Sequence, residues 1–334
     1  LFALGHLREG IDGSLCGNFQ QVREDDQALA DIGAALAQVP ELAEALEATS
    51  ASARLGIGQD SGGFWYPRAG WLHPGALCTA LLGHENIRLM EHCGPVQLER
   101  HADGWRAVAA SSSNASATCL ASAPCAVLAT GAGSPGMRNL EWLPLRAIRG
   151  QTTQLPTSPA LAQLQAGFCH EGYIAPARDG RHTIGATFSL QDDQDDIREE
   201  DHRQNLNNLA AAVPAWAAEL NSLDTGRLQG RVGYRCASPD YLPVVGPVPE
   251  PEAFCRTYEA LRRNAKSVVP ERAPCLEGLF LSTAHGSRGL TSTPLSGELL
   301  AALICGETPP LERPLSRALS PARFLARDLA RGRR

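Results

Sequence analysis

Residues 278–290 read Gly278-Leu-Phe-Leu-Ser-Thr-Ala-His-Gly-Ser-Arg-Gly-Leu. The apolar run up to Thr283 predicts a strand, Gly286 and Gly289 a tight loop, and the residues from Thr291 to Ser296 the entry to a helix that runs from about Ser296 to Cys305 and stops at Gly306. A strand, a glycine loop and a helix in that order gather backbone N–H groups at a helix N-terminus, which favours a phosphate or an anionic ring edge. The same unit can equally be an ordinary βα turn.

An earlier stretch has related logic. Ala126-Val-Leu-Ala is a short apolar strand, expected to be buried, that ends in Thr130-Gly131-Ala132-Gly133, where small side chains let backbone approach a ligand. Pro135 follows at once and a long crossover helix does not. This turn therefore does not replace the Gly-x-Gly-x-x-Gly that normally carries a dinucleotide pyrophosphate, and no such motif closes a first strand near the amino end.

Between and around these turns the pattern alternates. Apolar spacing predicts an amphipathic helical segment over Glu24–Ala48, interrupted at Pro40. Ser61–Leu72 reads as irregular backbone with buried rings, and Pro74 starts a helix through Leu82. Val96–Arg100 and Trp105–Ala109 form a hairpin across Asp103-Gly104, followed by a Ser/Ala-rich loop. Longer strands come next, at Arg146–Leu155, Gly172–Pro176, Thr183–Phe188 and Arg227–Cys236, with a hairpin turn at Arg178-Asp179-Gly180 and one helix over Glu199–Leu220. The acidic run Asp192–Asp201, relieved only by Arg198, reads as a surface loop leading into that helix.

The chain has 334 residues, 43% of them apolar, enough to bury a core of one large or two medium domains. A formal charge of −6 excludes coating of nucleic acid by bulk electrostatics. Local charge differs: Leu311–Arg334 holds seven arginines, and Arg323, Arg327 and Arg331 recur every four residues. That face either meets a phosphate backbone or is simply solvated. Ten cysteines scattered from Cys16 to Cys305 form no Cys-x-x-Cys pair and no zinc-like grouping, so they read as buried small hydrophobes in a reducing cytoplasm, with no metal. No apolar run approaches the roughly 18 residues of a membrane span. The chain opens at Leu1 without methionine, which leads to the expectation of a fragment or a processed product.

Arg235 ends an apolar strand in Val232-Gly-Tyr-Arg-Cys, and Arg288 lies in the glycine loop. Either guanidinium can grip a carboxylate through two parallel hydrogen bonds, or pair with an internal acid. Tyr173 leads a strand and can be a core aromatic or a ligand group.

Four stretches in order resemble the flavoprotein superfamily of D-amino-acid oxidase, glycine oxidase and sarcosine oxidase. They are Val127-Leu-Ala-Thr-Gly-Ala-Gly, then Gly172-Tyr-Ile-Ala-Pro with Asp179-Gly-Arg-His-Thr-Ile-Gly-Ala-Thr, then Tyr234-Arg-Cys-Ala-Ser-Pro-Asp-Tyr-Leu-Pro-Val-Val-Gly-Pro, and the stretch that begins at Gly278. Within that superfamily the chain is similar to the carboxy-terminal oxidase domain of the bacterial bifunctional enzymes that make 5-methylaminomethyl-2-thiouridine in tRNA. Gly63-Phe-Trp-Tyr-Pro-Arg-Ala-Gly-Trp-Leu-His-Pro, Leu145-Arg-Ala-Ile-Arg-Gly-Gln, the insertion Pro251–Pro274 and the arginine-rich ending carry this likeness.

The resemblance implies a mixed α/β fold of the D-amino-acid oxidase type, with a Rossmann-like FAD-binding domain whose first βαβ is missing and an antiparallel-sheet substrate domain. It assigns 67–144 and 275–310 to the FAD-binding domain, 1–66 and 145–274 to the substrate domain, and 311–334 to a basic C-terminal helix. FAD would be held by Thr130, Gly131, Ala132 and Gly133 and by Gly286, Ser287, Arg288, Gly289, Leu290 and Thr291. Arg235, Arg288 and Tyr173 would bind substrate, with no catalytic side chain, because the flavin itself accepts hydride. The implied reaction is oxidative removal of the carboxymethyl group from a 5-carboxymethylaminomethyl wobble uridine, releasing glyoxylate. The partner would be the anticodon loop of tRNA, in the cytoplasm, and S-adenosylmethionine would belong to a methyltransferase domain upstream of Leu1. Two alternatives stand beside it, a free glycine, sarcosine or D-amino-acid oxidase and an inactive fragment.

Overall fold

The computed structural model describes residues 1–22, 26–109 and 118–334, with side chains described for all of these except 26–29. Helices and sheets are mixed, as expected, and the chain divides into two compact units: Leu1–Leu89 with Arg149–Gly233, and Met90–Ile148 with Tyr234–Arg334. The expected boundaries at 67, 145, 275 and 311 are corrected accordingly, and strand pairing supplies the reason. Trp71–Leu72 pairs antiparallel with Gly13–Ser14 and so stays with the first unit. Val244–Pro249 pairs with Cys275–Thr283, which draws residues 234–274 into the second.

The first unit is built on one sheet. Its order is Ser189–Leu190, Arg146–Pro156, Arg181–Gly185, Tyr173–Ile174, Gly167–Cys169, Asn18–Gln21, Gly63–Tyr66 and Glu44–Leu46, with Gln229–Ala237 also pairing Arg146–Pro156. The turn at Asp179 and Gly180, both with positive φ, closes the expected hairpin, with Arg178 bridged to Arg181. Gly63–Tyr66 is regular strand rather than irregular backbone. Trp65 points inward while Phe64 and Tyr66 lie on the other face, as the two-residue period requires. The helical segment expected over 24–48 is helix at Asp26–Leu36 and again only at Ala48, where helix Ala48–Leu55 begins; residues 24 and 25 lie outside the described ones. Beyond Pro40, Glu44–Leu46 joins the sheet edge through Gly63–Trp65, because inter-strand pairing satisfies backbone groups that a proline-broken helix could not. The core gathers Phe19, Leu55, Leu155, Phe168, Ile174, Ile184 and Leu209. Helix Glu199–Ala212 packs there through Leu206 and Leu209 and stops before Pro214, short of the expected Leu220, since Pro214 cannot donate to the turn before it.

The second unit holds two sheets. Val96–His101, Gly104–Ala109 and Thr118–Ala123 form an antiparallel meander. The last of these strands occupies part of the expected Ser/Ala-rich loop, whose residues 110–117 lie outside the described ones. The other sheet is ordered Val244–Pro249, Cys275–Thr283, Ala126–Leu128, and its last pair is parallel. Ala126–Leu128 ends that sheet, so the expected burial holds for Leu128 but not for Val127, which is 43% exposed. Helix Gly289–Cys305 begins earlier than expected and ends as expected at Gly306, whose φ of 71° suits a residue without Cβ.

The expected single C-terminal helix is two, Arg313–Leu319 and Ala322–Ala330, separated at Ser320-Pro321. Its apolar residues Leu325 and Leu329 are fully buried against Phe254 of helix Pro251–Thr257, so the tail and the insertion share one small core. All ten cysteines are free, but the expectation that they are buried holds only for Cys236. Cys78, Cys119, Cys125 and Cys305 are exposed and the others intermediate, since they fall on outward or half-covered positions of their elements.

Candidate functional site

The parallel pairing of Leu279–Leu281 with Ala126–Leu128 makes both strands finish at the same edge of their sheet, so the two glycine-containing turns emerge side by side. They are tied together. Thr283 Oγ1 donates to Gly131 O at 3.1 Å, and Ser134 Oγ donates to the same carbonyl at 2.8 Å. Gly131 and Gly286 both have φ of 55°, and a Cβ added at either would meet no atom within 4 Å. Glycine therefore sets the backbone here and leaves the space above it open. Among the described residues, the N–H groups of Gly131, Ala132, Ser287, Gly289 and Leu290 donate to no protein acceptor. Unsatisfied donors on two adjoining turns, one at the start of a 17-residue helix, fit the phosphate and carbonyl oxygens of a flavin nucleotide.

Arg235 reaches this region through its strand. Cys236 O accepts from Gly286 N at 2.8 Å and Ala237 bridges His285, so the strand end after Arg235 is bonded to the loop that carries Arg288. Arg235 is half-buried. Arg288 is exposed, and its side chain has no ion pair or hydrogen bond among the described residues. The structure thus brings together Thr130–Gly133, Gly286–Thr291 and Arg235 within the second unit. Tyr173, by contrast, belongs to the first unit, in the two-residue strand Tyr173–Ile174.

His285 was not singled out from the sequence. Its Nδ1 lies 2.9 Å from Ser292 Oγ and its Nε2 lies 3.3 Å from Ser282 Oγ, so it links the end of the strand to the first turn of the helix. Burial pushes its pKa below the usual histidine value. Only its place beside the glycine loop hinted at this, because the serine partners are recognisable only once strand and helix are paired.

Three arginines prove to be structural. Arg149, fully buried in the first unit, donates to Asp201 Oδ2 at 2.6 Å, Gln194 O at 2.7 Å and Asp196 O at 2.6 Å. Arg198 meets Asp192 and Asp196 from the outer side. The acidic run is therefore clamped between two guanidiniums rather than left as a loop relieved by Arg198 alone. Arg323 is spent likewise: Nε and Nη2 donate to Asp240 at 2.9 and 3.0 Å, and Nη2 donates to Leu242 O at 3.0 Å. Burial pushes the Asp240 carboxyl up, but Arg323 and Ser238 outweigh it and hold the group at about 2. Of the three arginines spaced along the last helix, Arg323 is not available to a phosphate backbone.

No described group of three or more His, Cys, Asp or Glu side chains could hold a metal ion. Among the described residues no helix is long and apolar enough to cross a membrane.

The profile of the FAD dependent oxidoreductase family DAO matches residues 4–303, and the chain belongs to that family. It is similar to the tRNA 5-methylaminomethyl-2-thiouridine biosynthesis bifunctional protein MnmC of Pseudomonas aeruginosa, with 44% identity over 334 residues, 99% of this chain and 50% of that protein. The protein of the same name from Stutzerimonas stutzeri is 42% identical over 331 residues, 98% of this chain and 49% of its own. The chain spans about half the length of these curated relatives. In fold it resembles iminodiacetate oxidase from Chelativorans sp. BNC1, with a TM-score of 0.69 at 19% identity over 95% of this chain and 79% of that one. Glycine oxidase from Geobacillus kaustophilus gives a TM-score of 0.67 at 19% identity over 93% and 75%.

Proposed function

We propose that this chain carries the FAD-dependent oxidase activity of a tRNA-modifying enzyme, removing the carboxymethyl group from 5-carboxymethylaminomethyl-(2-thio)uridine at the wobble position, in the cytoplasm. The observation that carries the proposal is the junction of the two glycine turns with the strand end after Arg235. Open space and free N–H donors adjoin there, beside the strand end that carries Arg235 and in the loop that carries Arg288, which suits a flavin beside a carboxylate.

When bound, FAD supplies a two-electron acceptor for a hydride from carbon, the part of the reaction the protein need not perform. The N–H groups of Gly131, Ala132, Ser287, Gly289 and Leu290 would hold its polar edges. Arg235 and Arg288 would grip the glycyl carboxylate and so fix the α-carbon in place. The glycyl unit loses two electrons and two hydrogens at its Cα–N bond, and water then splits the resulting imine into glyoxylate and the 5-aminomethyl nucleoside. His285 holds the loop carrying Arg288 in register through Ser292.

The test is to incubate the flavin-loaded protein with tRNA bearing the carboxymethylaminomethyl group and measure glyoxylate and the aminomethyl nucleoside. Equal amounts of both, formed only with the modified tRNA, are expected. Rapid oxidation of free glycine or sarcosine without RNA would replace this reading with a small-amine oxidase. Absence of the flavin absorbance bands after loading would leave the chain without the activity.

A further inference from the structure

We infer that Tyr241 is a stacking platform for an unpaired base of the RNA substrate, an inference that rests on the tRNA reading above. Tyr241 sits in the short loop between the strand that carries Arg235 and the strand Val244–Pro249. Its φ is 58°, a left-handed conformation that a side chain with a Cβ rarely adopts. The residue is 70% exposed, more than any other Phe, Tyr or Trp among the described residues. An unfavourable backbone angle is ordinarily offset by packing of the side chain. Here the ring packs against little, so packing does not account for its position.

The loop is nonetheless held rigidly. Tyr241 N donates to Ser238 O at 3.1 Å, and Ser238 Oγ donates to Asp240 Oδ1 at 2.8 Å and to Leu242 O at 2.7 Å. Arg323 then fixes both neighbours of Tyr241 at once, through Asp240 and Leu242 O. These bonds act on the backbone of Tyr241 and on the residues beside it, and none on the ring itself. The result is a flat aromatic face presented to solvent at small entropic cost.

The surroundings favour a nucleobase over an apolar protein surface. Arg323 is neutralised by Asp240, but Arg327 shares the Phe324 ring with it, at 4.9 Å against 4.2 Å, and has no ion pair among the described residues, so a second, uncompensated cation stands beside the support of the Tyr241 loop. The first helix of the tail carries Arg313 and Arg317, and Arg331 follows the second. An exposed ring beside guanidiniums is the combination by which single-stranded RNA is held, the base on the ring and the phosphates on the cations. Recognition of an anticodon nucleotide requires bases to be unstacked from their neighbours, and an aromatic platform replaces the lost stacking.

The experiment uses flavin-loaded protein and an anticodon stem-loop RNA carrying 2-aminopurine in the loop, with Tyr241→Phe, Tyr241→Leu and Tyr241→Gly as variants. Wild type and Tyr241→Phe are expected to quench the fluorescence and bind alike, whereas Tyr241→Leu and Tyr241→Gly lose the quench and bind at least about fivefold more weakly. Because glycine accepts a φ of 58°, Tyr241→Gly is expected to melt no lower than wild type, an outcome that a structural role for the ring would reverse. RNA binding and quenching by Tyr241→Leu equal to wild type would overturn the platform while leaving the tRNA reading intact, as would a loss of affinity for a protein partner alone. Failure of the wild-type protein to bind the RNA would overturn the tRNA reading itself, and the platform with it.

Discussion

Arg149 and Asp201 meet at 2.6 Å in the interior of the first unit, and Arg149 has no exposed surface. The same guanidinium also holds two backbone carbonyls of the acidic run, which places a charged side chain where an aliphatic one would be expected. Arg149→Ala is predicted to cost about 3–5 kcal/mol, because it strands a partly buried carboxylate and two carbonyls. Arg149→Met should cost less than that, having no cavity to leave. Urea unfolding of both variants followed by circular dichroism decides it, and a loss below about 1 kcal/mol for the alanine variant would contradict the clamp.

Arg323 and Arg331, at the two ends of the last helix, should behave differently. Arg323→Ala is predicted to lower stability by about 1 kcal/mol, since its carboxylate partner is only partly screened from water. Arg331, exposed and without an ion pair among the described residues, should contribute nothing measurable to stability. If RNA lies along that helix, Arg331→Ala lowers the slope of log affinity against log salt by about one. Salt titrations of RNA binding beside thermal melts separate the two roles.

Acid should destabilise the protein before its carboxylates titrate. His182, His202 and His285 are all pushed below the usual histidine pKa, burial being the main cause in each. A histidine held neutral in the folded state gives full stability above its unfolded pKa of about 6.5. As pH falls below that value the unfolded chain takes up protons first, so stability declines towards the lowered folded pKa. Denaturation midpoints should therefore be level from about pH 8 to 7 and fall below about 6.5. His285→Gln is expected to make that fall shallower; an unchanged profile would remove His285 from the explanation.

The carboxylate grip is tested by Arg235→Ala and Arg288→Ala. Loss of a charge-assisted pair of hydrogen bonds is worth about 1.5–3 kcal/mol, or roughly ten- to a hundredfold in kcat/KM, with the change falling mainly on KM. Flavin content measured by absorbance should stay unchanged for Arg235→Ala. Turnover at low substrate equal to wild type would dismiss the role.

Gly286→Ala probes the cofactor turn. With φ at 55°, an alanine there is strained by about 1–2 kcal/mol even though nothing would touch its Cβ. Weakened flavin retention with a melting temperature lowered by only a few degrees is expected, and flavin affinity equal to wild type would show that the turn does not hold it.

Much of the second unit's site was legible in the residues themselves. Thr130–Gly133 and Gly286–Thr291 were marked as turns because glycine and small residues after an apolar run have few other uses, and local backbone geometry is encoded locally. The helix end at Gly306, the turn at Asp179-Gly180 and the start at Pro74 were readable for the same reason. Gly63–Tyr66 was not, since aromatic residues between glycines take a regular strand only when a neighbour such as Asn18–Gln21 pairs with them.

What only the tertiary structure decided was partnership. Arg149, Arg198, Arg323 and Arg331 are alike as letters, yet one is fully buried, two clamp surface carboxylates and one stays exposed. Nothing within a few residues of Arg149 or Arg323 announces Asp201 or Asp240, which are 52 and 83 positions away. Local sequence determines dihedral angles and periodicity, because those forces act between near neighbours. The role of a charge depends on what desolvates it and what faces it, and chain folding alone brings those groups together.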